Sequence, residues 1–337
     1  MHFFVTGHTG FKGSWLILLL KELGHEVSGY SLEPVEGGLF KKADLEKDVK
    51  NHFIGDIRDF DSLNSALESC KPDFAIHMAA QPLVLRSYED PVETYTTNVD
   101  GTLNFLRAVS AQKVPPISLV ITTDKVYRDD GKGSYSESDP LGGHDPYSAS
   151  KAMADILTQS WAVTNPALKL HIARAGNVIG AFDASDNRPI PDAIRSIRRG
   201  EVLQVRQPQS VRPWQHVLDC LAGYILLLNK VSLGANLPVA LNFGPDPASI
   251  KRVDEVLEAA AASTPELKYL LSESDSLLKE TQLLTLDSQL AAKELDWQNH
   301  IEFQKAVRWS FEELSGVNAR EIAQRQISEF LASGNLR

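Results

Sequence analysis

The sequence predicts an α/β fold, a doubly wound parallel sheet with a smaller, mixed C-terminal domain, and three observations predict it. β and α signals alternate through the first half of the chain. A glycine-rich turn, Gly7-His8-Thr9-Gly10-Phe11-Lys12-Gly13, joins a first apolar run to an apolar helix closed by Gly24. Prolines at 189, 191, 208 and 213 then mark a region that leaves the regular alternation. Strands alternating with helices imply right-handed crossovers and a sheet covered on both faces.

The elements follow in order. Phe3-Phe4-Val5-Thr6 reads as the first strand, and the run from Ser14 to Leu23 as its helix. Residues 26–32 form a second strand and 53–56 a short third one; 61–69 is a helix and 74–78 a strand. A long helix is expected over 91–112 and another apolar strand over 118–123. The segment after Tyr147 is helical to about 163, and 171–179 returns to a strand. Residues 217–228 and 240–243 look like a return to the first domain; after Pro245 the chain is helix-rich, with a weakly patterned stretch at 272–285. The expected division is a dinucleotide-binding Rossmann domain of residues 1–178 plus 215–244, and a second domain of 179–214 plus 245–337.

The turn carries the first chemical signal. In a strand–turn–helix of this kind the first glycine permits the tight turn, and the second lets backbone approach a pyrophosphate. The third lets helix and strand pack closely, while the helix N-terminus offers unpaired N–H groups and a positive dipole end.

Composition bounds the rest. The 337 residues are 43% hydrophobic and 23% charged, ordinary for a globular protein and long enough for a large α/β domain plus a smaller lobe. No apolar stretch is long enough to span a bilayer. Cys70 and Cys220 are too few for a disulfide framework or a zinc site, so no metal is expected. A first strand at residue 2 or 3 leaves no room for a leader, and a cytoplasmic enzyme is the expectation. The net charge of −10 argues against nucleic acid or an anionic membrane as partner. Against that acidity stand arginines at 188, 195, 198, 199, 206 and 212, with only Asp192 and Glu201 among them. Arginine suits bidentate phosphate recognition, and Arg212 in Arg212-Pro213-Trp214-Gln215-His216 is the member least readily explained as a solvated helix face.

Tyr147-Ser148-Ala149-Ser150-Lys151 places a phenol and an ammonium on one helix face. A cation held nearby favours the phenolate and is expected to lower the tyrosine pKa from its ordinary ~10. Such a tyrosine takes a hydroxyl proton while a nicotinamide takes hydride from the same carbon. Thr123-Asp124-Lys125 stands at the carboxyl end of an expected parallel strand, where open α/β sheets place ligand chemistry. A simple epimerase or alcohol dehydrogenase needs only a hydroxyl beside the tyrosine; the adjacent Asp and Lys supply a second acid/base pair, as elimination of water from a 4-keto sugar requires.

Together these motifs resemble the extended short-chain dehydrogenase/reductase superfamily. A more specific resemblance, over about two-thirds of the chain, is to the CDP-glucose 4,6-dehydratase family. It rests on Val5-Thr6-Gly7-His8-Thr9-Gly10-Phe11-Lys12-Gly13-Ser14-Trp15-Leu16, Ala79-Ala80-Gln81-Pro82-Leu83-Val84 and Thr123-Asp124-Lys125-Val126-Tyr127. Leu141-Gly142-Gly143, Asp145-Pro146-Tyr147-Ser148, Ala173-Arg174-Ala175-Gly176-Asn177-Val178-Ile179-Gly180 and Arg212-Pro213-Trp214-Gln215-His216-Val217 extend it. The chain departs from that family's pattern at Gly180-Ala181-Phe182-Asp183-Ala184, where a tryptophan is absent, at Pro189 and at Leu85.

The resemblance implies a nucleotide-sugar substrate and a recycled NAD. The catalytic set it implies is Thr123, Asp124, Lys125, Tyr147 and Lys151. Gly7, Thr9, Gly10, Phe11, Lys12 and Gly13 would cradle the cofactor, with Asp56 and Ile57 at the adenine and Ala79, Ala80 and Asn98 on the nicotinamide side. Ser31-Leu32-Glu33-Pro34 offers no cation for a 2′-phosphate, which favours NAD over NADP. Gln81, Arg86, Asn177, Arg188, Arg212 and His216 are the expected substrate contacts. A helix pair over 91–112 and 147–163 would make a homodimer or homotetramer. The alternatives are a 4-epimerase or 4-keto reductase on the same fold, which has no water to eliminate, and a cofactor-sensing protein, whose mark would be loss of the tyrosine or lysine.

Overall fold

The first helix can be buried on every side because the sequence makes it apolar on every side. Trp15 through Leu20 are all buried, and the helix lies beneath a central sheet that begins at His2. The computed structural model describes residues 1–272, 284–334 and 336. In the first half, β1 (His2–Thr6), α1 (Phe11–Glu22), β2 (Glu26–Ser31), α2 (Leu39–Lys42), β3 (Asn51–Ile54), α3 (Phe60–Cys70) and β4 (Phe74–His77) alternate. The chain continues through α4 (Val84–Glu89), α5 (Pro91–Tyr95), α6 (Gly101–Ala111), β5 (Ile117–Thr123), β6 (Ser134–Tyr135) and α7 (Pro146–Thr164). Next come β7 (Leu170–Ala175), β8 (Asn177–Ile179), α8 (Pro189–Arg199), β9 (Leu203–Val205), β10 (Val211–His216), α9 (Val217–Ser232) and β11 (Ala240–Phe243). The last elements are β12 (Ile250–Arg252), α10 (Val253–Ser263), β13 (Tyr269–Leu271), β14 (Thr285–Leu286), α11 (Gln289–Leu295), α12 (Phe303–Phe311) and α13 (Ala319–Ala332).

Seven strands form one parallel sheet in the order β11-β7-β5-β4-β1-β2-β3. The order reverses between β1 and β4, so ligand-facing loops gather at the carboxyl ends of β1, β4 and β5. β10 pairs in parallel with β8 and antiparallel with β12, making a second, mixed sheet. The C-terminal helices do not stand apart from the first domain. Side chains of α12 and α13, among them Trp309, Ile322 and Phe330, share one hydrophobic core with Trp15, Leu16 and Leu19 of α1. Arg320 ties α13 to the carbonyl oxygens of Ala43 and Asp44 and to the Asp48 carboxylate.

Several boundaries differ from those the sequence predicts. The strand expected over 171–179 is two: β7 stays in the main sheet, and after Gly176 the chain crosses to β10 as β8. The long helix of 91–112 is interrupted by a π-helical turn, Thr96–Asp100, around the buried Asn98. Such turns arise where a side chain is drawn out of helical register. The third strand runs Asn51–Ile54 rather than 53–56. The short strands β6, β9, β12, β13 and β14 carry too few residues for an alternation to show. Of the weakly patterned stretch at 272–285, residues 273–283 lie outside the described residues.

Candidate active site

The turn after β1 has the shape its glycines imply. Gly7 takes a left-handed φ of +75°, and a Cβ there would stand 2.8 Å from the Ala79 nitrogen. A Cβ on Gly13 would meet the Gly7 carbonyl oxygen at 2.3 Å, so α1 crosses too closely for any side chain. Gly10 is exposed and precedes α1 with no side chain capping the helix. The first N–H groups of α1 are thus left for an anion, and the cradle fits the diphosphate of a dinucleotide. Thr9 fastens the turn to the end of β2 through Ser31 Oγ at 2.7 Å and the Leu32 carbonyl at 3.0 Å. Lys12 sends its ammonium inward instead, 3.4 Å from the Tyr224 hydroxyl and 3.9 Å from Cys220 Sγ on α9. Only its backbone N–H, not its charge, faces the cradle's task. Phe11 packs beside Gly180, where an added Cβ would lie 3.2 Å from the ring.

Asp56 accepts from the backbone and guanidinium of Arg58, which holds its carboxyl below the usual range, and Ile57 beside it is buried. Ala79 and Ala80 follow β4 over the Gly7 turn, with the Ala79 N–H donating to Thr6 Oγ1 at 3.2 Å. Asn98 accepts from the Gln81 N–H at 2.9 Å, and donates to the Gln81 carbonyl at 3.1 Å and Ser150 Oγ at 2.9 Å. Asn98 therefore ties the β4 loop to α7.

α7 starts at Pro146, one residue before the tyrosine. Asp145 is its N-cap, accepting from the Ser148 N–H at 2.9 Å and from Ser148 Oγ, with Pro146 in the first turn. That places Tyr147 and Lys151 on one face beside the end of β5. The Lys151 ammonium is buried and donates to the Ile121 carbonyl at 2.7 Å. Burial, with Lys12 nearby, brings it down to about 8. Tyr147 hydrogen-bonds with Thr123, whose hydroxyl donates to Asp124 Oδ1 at 2.7 Å. Lys125 Nζ stands 4.0 Å from the same oxygen. The structure thus brings together Tyr147, Thr123, Asp124 and Lys125, with Lys151 one turn below. It corrects one expectation: the phenol is not lowered. Burial pushes it up to about 12, against the hydrogen bond with Thr123 and the field of Arg188.

A small pocket is lined by Asn177, Gly180, Asp183, Arg188 and Trp214, and the Arg188 charge reaches the Tyr147 phenol. Arg188 pairs with Asp183 at 3.4 Å. Arg212, on β10, donates to the Val211 carbonyl at 2.8 Å. Three further residues expected to touch substrate have their side chains engaged with protein groups. His216 is wholly buried between Trp15 and Trp309, is held down to about 3 by burial, and caps α9 by accepting from the Leu218 N–H. Gln81 donates to Leu83 O and Thr94 Oγ1 and accepts from the Leu83 N–H, so its amide shapes the loop. Arg86 forms a bidentate pair with Glu93 of α5 at the surface.

Sequence reasoning missed the groups that hold α7 in place. Asp155, one turn beyond Lys151, accepts from Thr122 Oγ1 at 2.9 Å and from Arg174 at 2.8 and 2.9 Å. Arg174 also donates to Tyr127, which donates to Asn242 of β11 at 2.7 Å. The four-residue spacing Tyr147–Lys151–Asp155 was the available signal.

The sequence profile of the NAD dependent epimerase/dehydratase family matches residues 3–242. The chain belongs to that family. Among family relatives, a CDP-glucose 4,6-dehydratase of Salmonella typhimurium is 38% identical over 347 aligned positions, covering 98% of this chain and 96% of the relative. A dTDP-glucose 4,6-dehydratase of Haemophilus influenzae is 27% identical, covering 91% and 96%. Among solved structures, a dTDP-glucose 4,6-dehydratase from Bacillus anthracis in complex with NAD superposes with a TM-score of 0.78 at 21% identity, over 96% of this chain and 99% of that one. A UDP-glucose 4-epimerase from Bifidobacterium longum in complex with NAD⁺ and UDP gives 0.81 at 19%, over 95% and 100%. These two share the family's fold. Among the described residues no helix is long and apolar enough to cross a membrane.

Proposed function

We propose that this chain is an NAD-dependent nucleotide-sugar 4,6-dehydratase that converts CDP-glucose to CDP-4-keto-6-deoxyglucose and water. The observation that carries the reading is the strand end Thr123-Asp124-Lys125 set against Tyr147, in a chain 38% identical along nearly its whole length to a CDP-glucose 4,6-dehydratase. NAD, when bound, supplies the hydride acceptor for C4 and the donor for C6, and its positive charge favours the phenolate that burial alone disfavours. Gly7, Gly10, Gly13 and Thr9 would hold its diphosphate side, and Asp56, Ile57, Ala79, Ala80 and Asn98 would border its two ends.

Tyr147 takes the proton of the C4 hydroxyl while Thr123 hydrogen-bonds the C4 oxygen. With C4 oxidised, the C5 proton is acidic. Asp124 protonates the departing C6 hydroxyl, and water leaves across C5–C6. Lys125, beside Asp124, takes the C5 proton as the base and, once protonated, stabilises the enolate as a cation. A proton returns to C5 as C6 is reduced, so atoms balance with one water released. Arg188, Asn177 and Arg212 bind the diphosphate and sugar. Nothing in the site favours the 4-epimerase reading, which leaves Asp124 and Lys125 without work.

The chain is proposed to work as a homodimer or homotetramer in the cytoplasm. Exposed Val92 on α5 and Met153, Ile156 and Val163 on α7 support self-association, and two unpaired cysteines support a reducing compartment. The test is a panel of CDP-, UDP- and dTDP-glucose incubated with the purified protein and no added NAD. CDP-glucose should be consumed to a 4-keto-6-deoxy product by protein that carries its own NAD. A C4 epimer, or turnover only with stoichiometric added NAD, would overturn the reading.

A further inference from the structure

The segment between β8 and α8, which departs from the family pattern, is held by a residue that no motif marks. Phe182 takes a left-handed φ of +64° although it is a bulky aromatic, and its ring is 97% buried in the main core, being 3% exposed. A residue of this type persists there only where its surroundings over-determine it. Two groups do so. The Trp15 indole N–H donates to the Ala181 carbonyl at 3.1 Å, and the Phe182 N–H donates to Oε2 of Glu313. Glu313 follows α12, more than a hundred residues later, and its side chain is only 3% exposed. Its other oxygen accepts from Arg198 of α8 at 2.5 Å. The next residue along, Asp183, accepts from the Ser185 N–H at 3.0 Å and pairs with Arg188, which lines a small pocket with Asn177 and Trp214 and whose charge reaches Tyr147.

We propose that Glu313 is a positioning residue: by bridging Phe182 and Arg198 it latches residues 181–188 across the pocket and sets Arg188 for the diphosphate of the substrate. The role in binding rests on the dehydratase reading; the latch itself does not. A buried carboxylate that satisfies a backbone N–H and a guanidinium together is worth more than a neutral bond, and its loss strands both partners. Glu313 touches no reacting atom, so its loss acts on substrate binding and leaves proton transfer alone.

The test uses hydrogen exchange and nucleotide binding on the full chain. In Glu313→Ala, amides of 180–188 should exchange about tenfold faster or more, with the sheet amides unchanged. The affinity for CDP, read by calorimetry, should fall about tenfold, KM for CDP-glucose should rise alike, and the pH profile of kcat should not move. Glu313→Gln, which keeps an oxygen for the Phe182 N–H, should fold as the parent does and recover most of the protection. Unchanged exchange at 180–188 in both variants overturns the latch. Faster exchange with parental CDP affinity overturns its role in binding. A parent that binds none of CDP, UDP and dTDP would sink the dehydratase reading, while the exchange result would still decide the latch.

Discussion

Tyr147 and Asp124 divide the proposed reaction between two proton transfers, and each can be removed alone. Tyr147→Phe should lower turnover at least ~10²-fold, the scale of a lost acid/base group, while substrate affinity is largely kept. Turnover near the parental rate would take the tyrosine out of the mechanism. Asp124→Asn keeps the side chain's size and its neighbour Thr123 but removes the donor for the C6 oxygen. C4 oxidation should survive and elimination stall, giving a burst of reduced-nicotinamide absorbance with little 4-keto-6-deoxy product. Deuterium placed at C4 should reach C6 of the product only in the parent. Product release at the parental rate would return the 4-epimerase or reductase reading. Most of the residues just named were legible in the sequence because their spacing is local: a turn of seven residues, a pair four apart on a helix, a triplet at a strand end. The partners of His216, Gln81 and Arg86 were not legible, for the converse reason. Whether a polar side chain faces a cleft, a core or a carboxylate is decided by residues far from it in sequence, here Trp309, Thr94 and Glu93.

At the scale of the element, α7 is the part whose placement matters most, since it carries both Tyr147 and Lys151. Its N-terminus is set by Asp145 and Pro146, and its middle by the fully buried pair of Asp155 and Arg174. Asp155→Asn leaves the Arg174 charge uncompensated inside the protein. The expected cost is about 3–5 kcal/mol, read as a lower urea midpoint with an unchanged slope. A midpoint within experimental error of the parent would mean that α7 is held by its apolar face alone. α1 makes a second test of element placement. Gly13→Ala puts a methyl 2.3 Å from the Gly7 carbonyl, so α1 must move away from the turn. Purified Gly13→Ala protein should carry much less NAD than the parent, and full occupancy would show that the close approach is not needed for the cradle.

The molecule as a whole buries histidines that cannot easily be charged. His8, His77 and His216 are all held down to about 3, burial being the largest cause in each, whereas an unfolded chain protonates them near 6.5. The unfolded state therefore binds more protons between these values, and stability falls as pH drops from about 6.5 toward 3. Asp219 works the other way. Burial raises it to about 7, so the folded state holds a proton that the unfolded state has released above 3.8, and its contribution is lost as pH rises through 7. His2, His25, His171 and His300 are lowered too, against raised Glu137, Asp192 and Glu313, so acid destabilisation wins. Urea midpoints taken at pH 7, 6 and 5 should fall progressively; a flat series would mean that these rings accept protons without unfolding. Self-association is tested at the same scale. Ile156→Lys and Val163→Lys place charges on the exposed face of α7, and light scattering should find the parent at a multiple of the chain mass and the double variant at that mass. A monomeric parent would rule the face out as an interface.

By itself, the sequence determined the alternation of β and α, the glycine turn, the tyrosine–lysine face and the Thr123-Asp124-Lys125 triplet at the end of β5. Each is a short-range pattern, and backbone geometry alone converts it into structure. Only the tertiary structure decided that the strand over 171–179 breaks at Gly176, that Asn98 draws out a π turn to reach Gln81 and Ser150, and that Lys12 points into the core. It also decided that burial outweighs the Thr123 hydrogen bond and the Arg188 field at Tyr147, and that Glu313 reaches back to Phe182. Those outcomes depend on which distant groups share a buried volume, and desolvation and hydrogen-bond satisfaction act only once that volume has closed.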